Sequence, residues 1–180
     1  MESSKSTTDK RVLTGLFRDR DSAERAYQSI ADRGYGREDV DVVMSDDTRR
    51  RHFATTTDGR ETELGTKAAE GAGIGGAIGG SLGAIAAAIA AVGTTIALPG
   101  LGLVIAGPLA AAIAGAGAGA ATGGIVGALI GWGIPEERVK MYDRGIREGG
   151  ILMAVRPRSD EDATFLEDSW RSNRGEHVYR

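Results

Sequence analysis

Cysteine is absent from this 180-residue chain. That excludes disulfides, thiol nucleophiles and cysteine-ligated metals, and fits a reducing compartment. Histidine is nearly absent: His52 and His177 are the only two, far apart in sequence. With no cysteine to complete a ligand set, no metal site is expected. Surplus positive charge is missing too, since 22 Lys and Arg face 25 Asp and Glu for a net charge of −3. A mildly acidic chain lacks the basic face that nucleic-acid binding needs. The opening MESSKSTTDK has no apolar h-region, so no secretory signal is expected. No serine stands in a G-x-S-x-G turn, because Gly79-Gly80-Ser81 lies inside an apolar run. Asp19, Asp21 and Glu24 resemble a carboxylate cluster, but helix capping accounts for them. No catalytic constellation emerges, and a non-enzymatic protein is expected.

The largest gap is in charge. From Gly71 to Pro135 there is no Lys, Arg, Asp or Glu, and Gly, Ala, Ile, Leu and Val make up most of the run. Around it the pattern is that of an α+β domain. Residues 1–10 form a polar, disordered tail. Residues 11–44 read as a first β-α-β half, in which a strand over 12–17 precedes a helix capped by Asp21 with Glu24 three residues on. Ala23, Ala26, Tyr27 and Ile30 give that helix an apolar face, and Gly34 a left-handed stop. Val40 to Met44 is the next strand. Residues 45–70 are a polar linker containing Arg49, Arg50 and Arg51.

The stretch 135–180 repeats this grammar after one extra helix. Pro135 suits that helix's first turn, and Val139, Tyr142 and Ile146 line its apolar face. A strand over Ile151–Val155 follows. Asp160 caps a helix carrying Ala163, Leu166 and Trp170, Gly175 stops it, and His177 to Tyr179 is a short edge strand. Two β-α-β units of this size predict a four-stranded antiparallel sheet with two helices on one face. This is a ferredoxin-like split domain, interrupted by a long Gly/Ala-rich helical hairpin at 71–134.

The glycines in the run raise two possibilities. Gly71, Gly73 and Gly76 match the dinucleotide fingerprint G-x-G-x-x-G. That fingerprint needs a preceding strand and an acidic residue about 20 positions later. The residues before Gly71 are polar and helix-like, and Ala90 to Leu98 holds no acid. No nucleotide and no cofactor is expected. The period of four carries more weight: Gly71, Gly75, Gly79 and Gly83 are answered by Gly115, Gly119, Gly123, Gly127 and Gly131. Residues four apart share a helix face, so each set forms a groove into which another helix can sink. Each Gly costs a helix about 1 kcal/mol relative to Ala, which close packing must return. Pro99-Gly100 and Gly107-Pro108 mark the turn between helices over about 67–98 and 108–132.

With no charged face, such a hairpin suits a bilayer. About 20 residues span one, and the large residues from Ile74 to Leu98 favour insertion by about 2.5–5 kcal/mol before glycine subtracts from it. The charges nearest the hairpin all lie at its open end, Arg49, Arg50, Arg51, Arg60, Lys67, Arg138 and Lys140 among them, so both termini are expected in the cytoplasm. There Arg49, Arg50, Arg51 and Trp132 would meet lipid. Tyr142 suits the same interface or a core contact. The alternative is a cytoplasmic homo-oligomer that buries the hairpins between copies. A ligand-sensing module is a third reading, on fold analogy alone.

Three stretches carry a resemblance. "VLTGLFRDRDSAERAYQSIADRGYGREDVDVVMSDDTR", "LPGLGLVIAGPLAAAIAGAGAGAATGGIVGALIGWGIPEE" and "YDRGIREGGILMAVRP" resemble the bacterial general (heat-induced) stress protein family with a glycine-zipper insert. The resemblance covers about residues 11–157 and weakens at 50–63 and after Arg158. It implies a stress-associated protein with no catalytic residues to carry over; membrane association and self-association through the zipper are expected from the uncharged run and the glycine period instead.

Overall fold

The computed structural model describes residues 12–53, 96–98, 102–110, 126–127, 129–130 and 133–180. Six strands form one sheet: β1 (Leu13–Phe17), β2 (Val40–Ser45), β3 (Ile96–Leu98), β4 (Leu103–Ala106), β5 (Ile151–Val155) and β6 (Glu176–Tyr179). Among the described residues, the α-helices that accompany them are α1 (Arg20–Asp32), α2 (Asp46–Phe53), α3 (Glu136–Arg147) and α4 (Asp160–Ser172). The strand order is β3-β4-β2-β5-β1-β6, and every neighbouring pair is antiparallel. The two β-α-β halves interleave: β5 lies between β1 and β2, with Leu16 opposite Leu152 and Val43 opposite the same residue.

β1, β2 and β5 are apolar along most of their length because both faces of the sheet are covered. Successive side chains point to opposite faces. Leu13 and Phe17, Val40, Val42 and Met44, and Ile151, Met153 and Val155 join α1 and α4 in one buried cluster. Leu16, Val43 and Leu152 join α3 in another, along with Leu103, Ile105, Leu109, Ala110, Leu129 and Ile134 from the Gly/Ala-rich run. The apolar run therefore supplies a substantial part of the second core.

The structure corrects the sequence reading in several places. Residues 96–98 and 103–106, expected at the end of one helix and in the apolar turn, are strands that extend the sheet beyond β2. Leu103-Val-Ile-Ala106 is a short apolar run between Gly102 and Gly107, and such a run suits a buried strand as well as a helix. Gly107 and Pro108 keep their expected place: Gly107 has φ +109° and helical geometry starts at 108. The turn between Gly102 and Gly107 thus contains a strand paired to the domain, not a free apolar tip. Residues 46–53 of the expected linker are α2, where Ser45 Oγ accepts from the Thr48 N–H at 3.0 Å and Phe53 is buried. Two caps shift. Asp19, not Asp21, caps α1 by accepting from the Ser22 N–H, and Ser159, not Asp160, caps α4 by accepting from Asp162. After α4 the left-handed residue is Arg174, one before Gly175.

Gly34 does stop α1 with φ +76°, and a Cβ there would meet nothing within 4 Å. The cost of Gly34→Val is therefore purely conformational, about 1–2 kcal/mol. A drop in Tm of several degrees should accompany it; an unchanged Tm would mean the turn adopts another geometry. Beyond this turn the halves are tied together by side chains. Tyr35 Oη donates to Asp162 Oδ2 at 2.8 Å and accepts from the Arg158 N–H at 2.7 Å, while the Arg158 guanidinium reaches Asp39 at 2.7 Å.

Candidate functional site: the seam between sheet and insert

The seam forms where the apolar run lies on the second face of the sheet. Residues 126–127 and 129–130 are helical. Leu129 is buried and Val126 packs against the same cluster. Gly127 and Ile130, also three apart, are exposed, and a Cβ on Gly127 would meet nothing within 4 Å. At 3.6 residues per turn, residues two apart lie on nearly opposite sides of a helix, so Leu129 faces the sheet and Gly127 faces away, with Ile130 at the outer flank. Of the glycines expected from sequence to form a zipper, Gly127 alone is among the described residues, and it is on the outward side. Gly71, Gly75, Gly79, Gly83, Gly115, Gly119, Gly123, Gly131, Pro99, Gly100 and Trp132 lie outside the described residues, as does the tail 1–10.

At the other end of the seam stands Asp41, the second residue of β2, between Val40 and Val42 and 2 % exposed. One residue on from the Val42–Ala106 pair, its Oδ1 accepts from the backbone N–H of Leu109 at 2.5 Å. Gly107 passes so close that a Cβ there would press on Val40 O and come within 2.6 Å of Asp41 Oδ1. Burial pushes the carboxyl up to about 7; the Leu109 hydrogen bond and the positive charge of Arg156 only partly offset it. By sequence, Asp41 is simply part of the strand from Val40 to Met44. A hint was present, since an acid flanked by valines on a strand covered on both faces must find a buried partner.

Tyr142 settles into a core contact. It is fully buried on α3; its hydroxyl donates to the His177 carbonyl at 2.7 Å and lies 2.7 Å from Thr14 Oγ1. Burial raises its phenol to about 12, so it stays neutral. This contact ties α3 to β1 and β6 across the second face.

The remaining candidates do not converge. On α2, Arg49 and Arg50 both pair with Asp46, at 2.9 and 2.7 Å, and Arg51 Nε donates to the Asp47 carbonyl at 3.3 Å. One carboxylate, Asp46, thus pairs with two of the three arginines. His52 neighbours Phe53, while His177 stacks beside Tyr179 on the far edge strand. Among the described residues no group of His, Asp and Glu is arranged to hold a metal ion. No helix among them is long and apolar enough to cross a membrane. Set against protein-family models, curated proteins and solved structures, the chain matches none.

Proposed function

We propose that this chain is a non-enzymatic stress-response protein whose glycine-zipper insert drives self-association of a ferredoxin-like split domain. The strand order β2-β5-β1-β6, with α1 and α4 against one face, supports the ferredoxin-like plan. The resemblance of residues 11–157 to the general stress proteins supports the stress role. One observation carries the self-association: Gly127 and Ile130 face outward while Leu129 on the same segment is buried on the sheet. A glycine groove that faces away from its own domain is available to a helix from another copy.

The anchoring of the insert favours assembly over a bilayer-crossing hairpin. A span takes about 20 residues. Residues 111–125 number only fifteen between Ala110 and Val126, both of which pack on the second core. β4, the segment expected at the far tip, pairs with β2 of the same domain that α3 packs against. A second reading, in which the insert rests on lipid from one side, draws on the charge-free stretch 71–135.

Gly127→Leu tests the first reading, because open space within the chain lets the side chain in without harm to folding. Cross-linked oligomer size should fall to monomer while Tm stays within about 0.5 kcal/mol of wild type in stability terms. Leu at Gly119 should act likewise, and Leu at Ala121, off the groove face, should be mild. Full assembly of both glycine variants would overturn the zipper. Detergent-free ultracentrifugation of expressing cells separates the two readings, since pelleting with membranes would favour lipid.

A further inference from the structure

Asp41 is a buried acid at the point where the insert meets the sheet, and self-association through the glycines makes no use of it. Its surroundings contain few charges. Opposite it on β5 is Ala154, and past β4 the chain passes as Gly107. The insert contributes the Leu109 backbone N–H. The buried side chains of α3 on this face are Val139, Tyr142 and Ile146, of which only the tyrosine titrates, at about 12. Among the described residues, Arg156, directly after β5, is the charge whose field reaches the carboxyl.

We propose that Asp41 is a proton-operated latch: neutral, it holds residues 107–110 against the sheet, and on ionisation it loosens them. The physical reason is that an apolar seam with one N–H donor solvates a carboxylic acid better than a carboxylate. The seam has a polar link at this point, and Gly107 leaves no room for a side chain that would keep the insert away. The latch concerns how the insert docks on its own sheet, so it stands whether or not the glycines assemble copies.

The sign follows from linkage. The folded group titrates near 7 and an unfolded aspartate near 3.9. The folded form therefore holds its proton across that interval, and the unfolded form does not. The contribution of the neutral acid is fully present below about pH 4, and is lost as pH rises through about 7. Mild acid should tighten the insert, and mild alkali should free it.

Hydrogen exchange on the full chain reads this directly, with rates corrected for intrinsic pH dependence and α1 as the internal reference. Between pH 5.5 and 8.5, protection of the amides in 103–110 should fall by about tenfold relative to α1 in the wild type. Asp41→Asn, neutral and of the same shape, should remove that pH dependence and give higher protection than wild type at pH 8.5. Two results would overturn the latch: wild-type protection of 103–110 that is flat across this range, or an identical pH profile in the Asn variant. Should the Asn variant fold poorly at every pH, that too would count against it, because the neutral side chain is the form said to hold the seam.

Discussion

Trp170→Ala should destabilise the domain by about 3–5 kcal/mol, with a Tm drop on the order of 10 °C. Trp170 is fully buried on α4 and meets Phe17 edge-on, with ring centroids 5.7 Å apart and planes at 78°. Its benzo ring lies over Gly15 of β1, the strand that joins the two halves between β5 and β6. Truncation therefore opens a cavity at the centre of the first core, where strands on either side hold the walls apart. One term works the other way. Trp170 Nε1 is buried with no hydrogen-bond partner among the described residues, and an orphaned donor costs about 1–3 kcal/mol. Trp170→Phe keeps much of the packing and removes that donor, so its loss should stay below about 2 kcal/mol. Chemical denaturation of both variants checks the pair. A phenylalanine variant as unstable as the alanine one would mean the indole nitrogen is satisfied in solution.

Why Trp170 could be placed in the core from sequence is plain. Ala163, Leu166 and Trp170 recur at helical spacing, and all three are buried on one face of α4. The same holds for Ala23, Ala26, Tyr27 and Ile30 on α1, and for Val139, Tyr142 and Ile146 on α3. Periodicity is a strong signal where one face is apolar and the other is wet. It fails where that contrast is missing. α2 buries only Thr48 and Phe53, and its other residues are charged or His, so the segment reads as linker. The Gly/Ala-rich run fails in the opposite way: it is apolar on every face, and Leu103–Ala106 carries no mark to tell strand from helix.

The seam was less legible than the core for a related reason. Asp41 meets its donor 68 residues later in the chain, and that donor is a backbone N–H with no sequence identity of its own. A side chain that binds another side chain leaves two residues to notice; here only one exists. The caps of α1 and α4 missed by a residue or two because Asp19 and Asp21, or Ser159 and Asp160, are all competent acceptors. Local geometry chose among them. By contrast, Gly107-Pro108 was marked as a break from sequence alone, and the break is where the seam begins.

Gly107→Ala should release the insert from the sheet while leaving the rest of the domain folded. A Cβ at this position would press on Val40 O, and would come within 2.6 Å of Asp41 Oδ1 and 2.9 Å of Asp41 Cα. Two of these are backbone atoms of a central strand, so neither can turn aside as the end of a side chain would. The backbone adds to the problem, since φ +109° lies where an L side chain is strained at a cost of about 1–3 kcal/mol. Together these should cost more than about 3 kcal/mol locally, enough to break the β2–β4 ladder in preference to distorting β2. Gly102, at the other end of β4, supplies the control. It has φ +63° but nothing within 4 Å of a Cβ, so Gly102→Ala carries the conformational strain alone, about 1–2 kcal/mol. Hydrogen exchange should then show the amides of Leu103–Ala106 losing most of their protection in the Gly107 variant and keeping most of it in the Gly102 variant. Amides of β1 and β5 should be unchanged in both, because their ladder lies on the other side of β2. Equal protection of β4 in the two variants would mean that the insert is held mainly by Leu109 and Leu129, and that the contact at Asp41 is incidental to its docking.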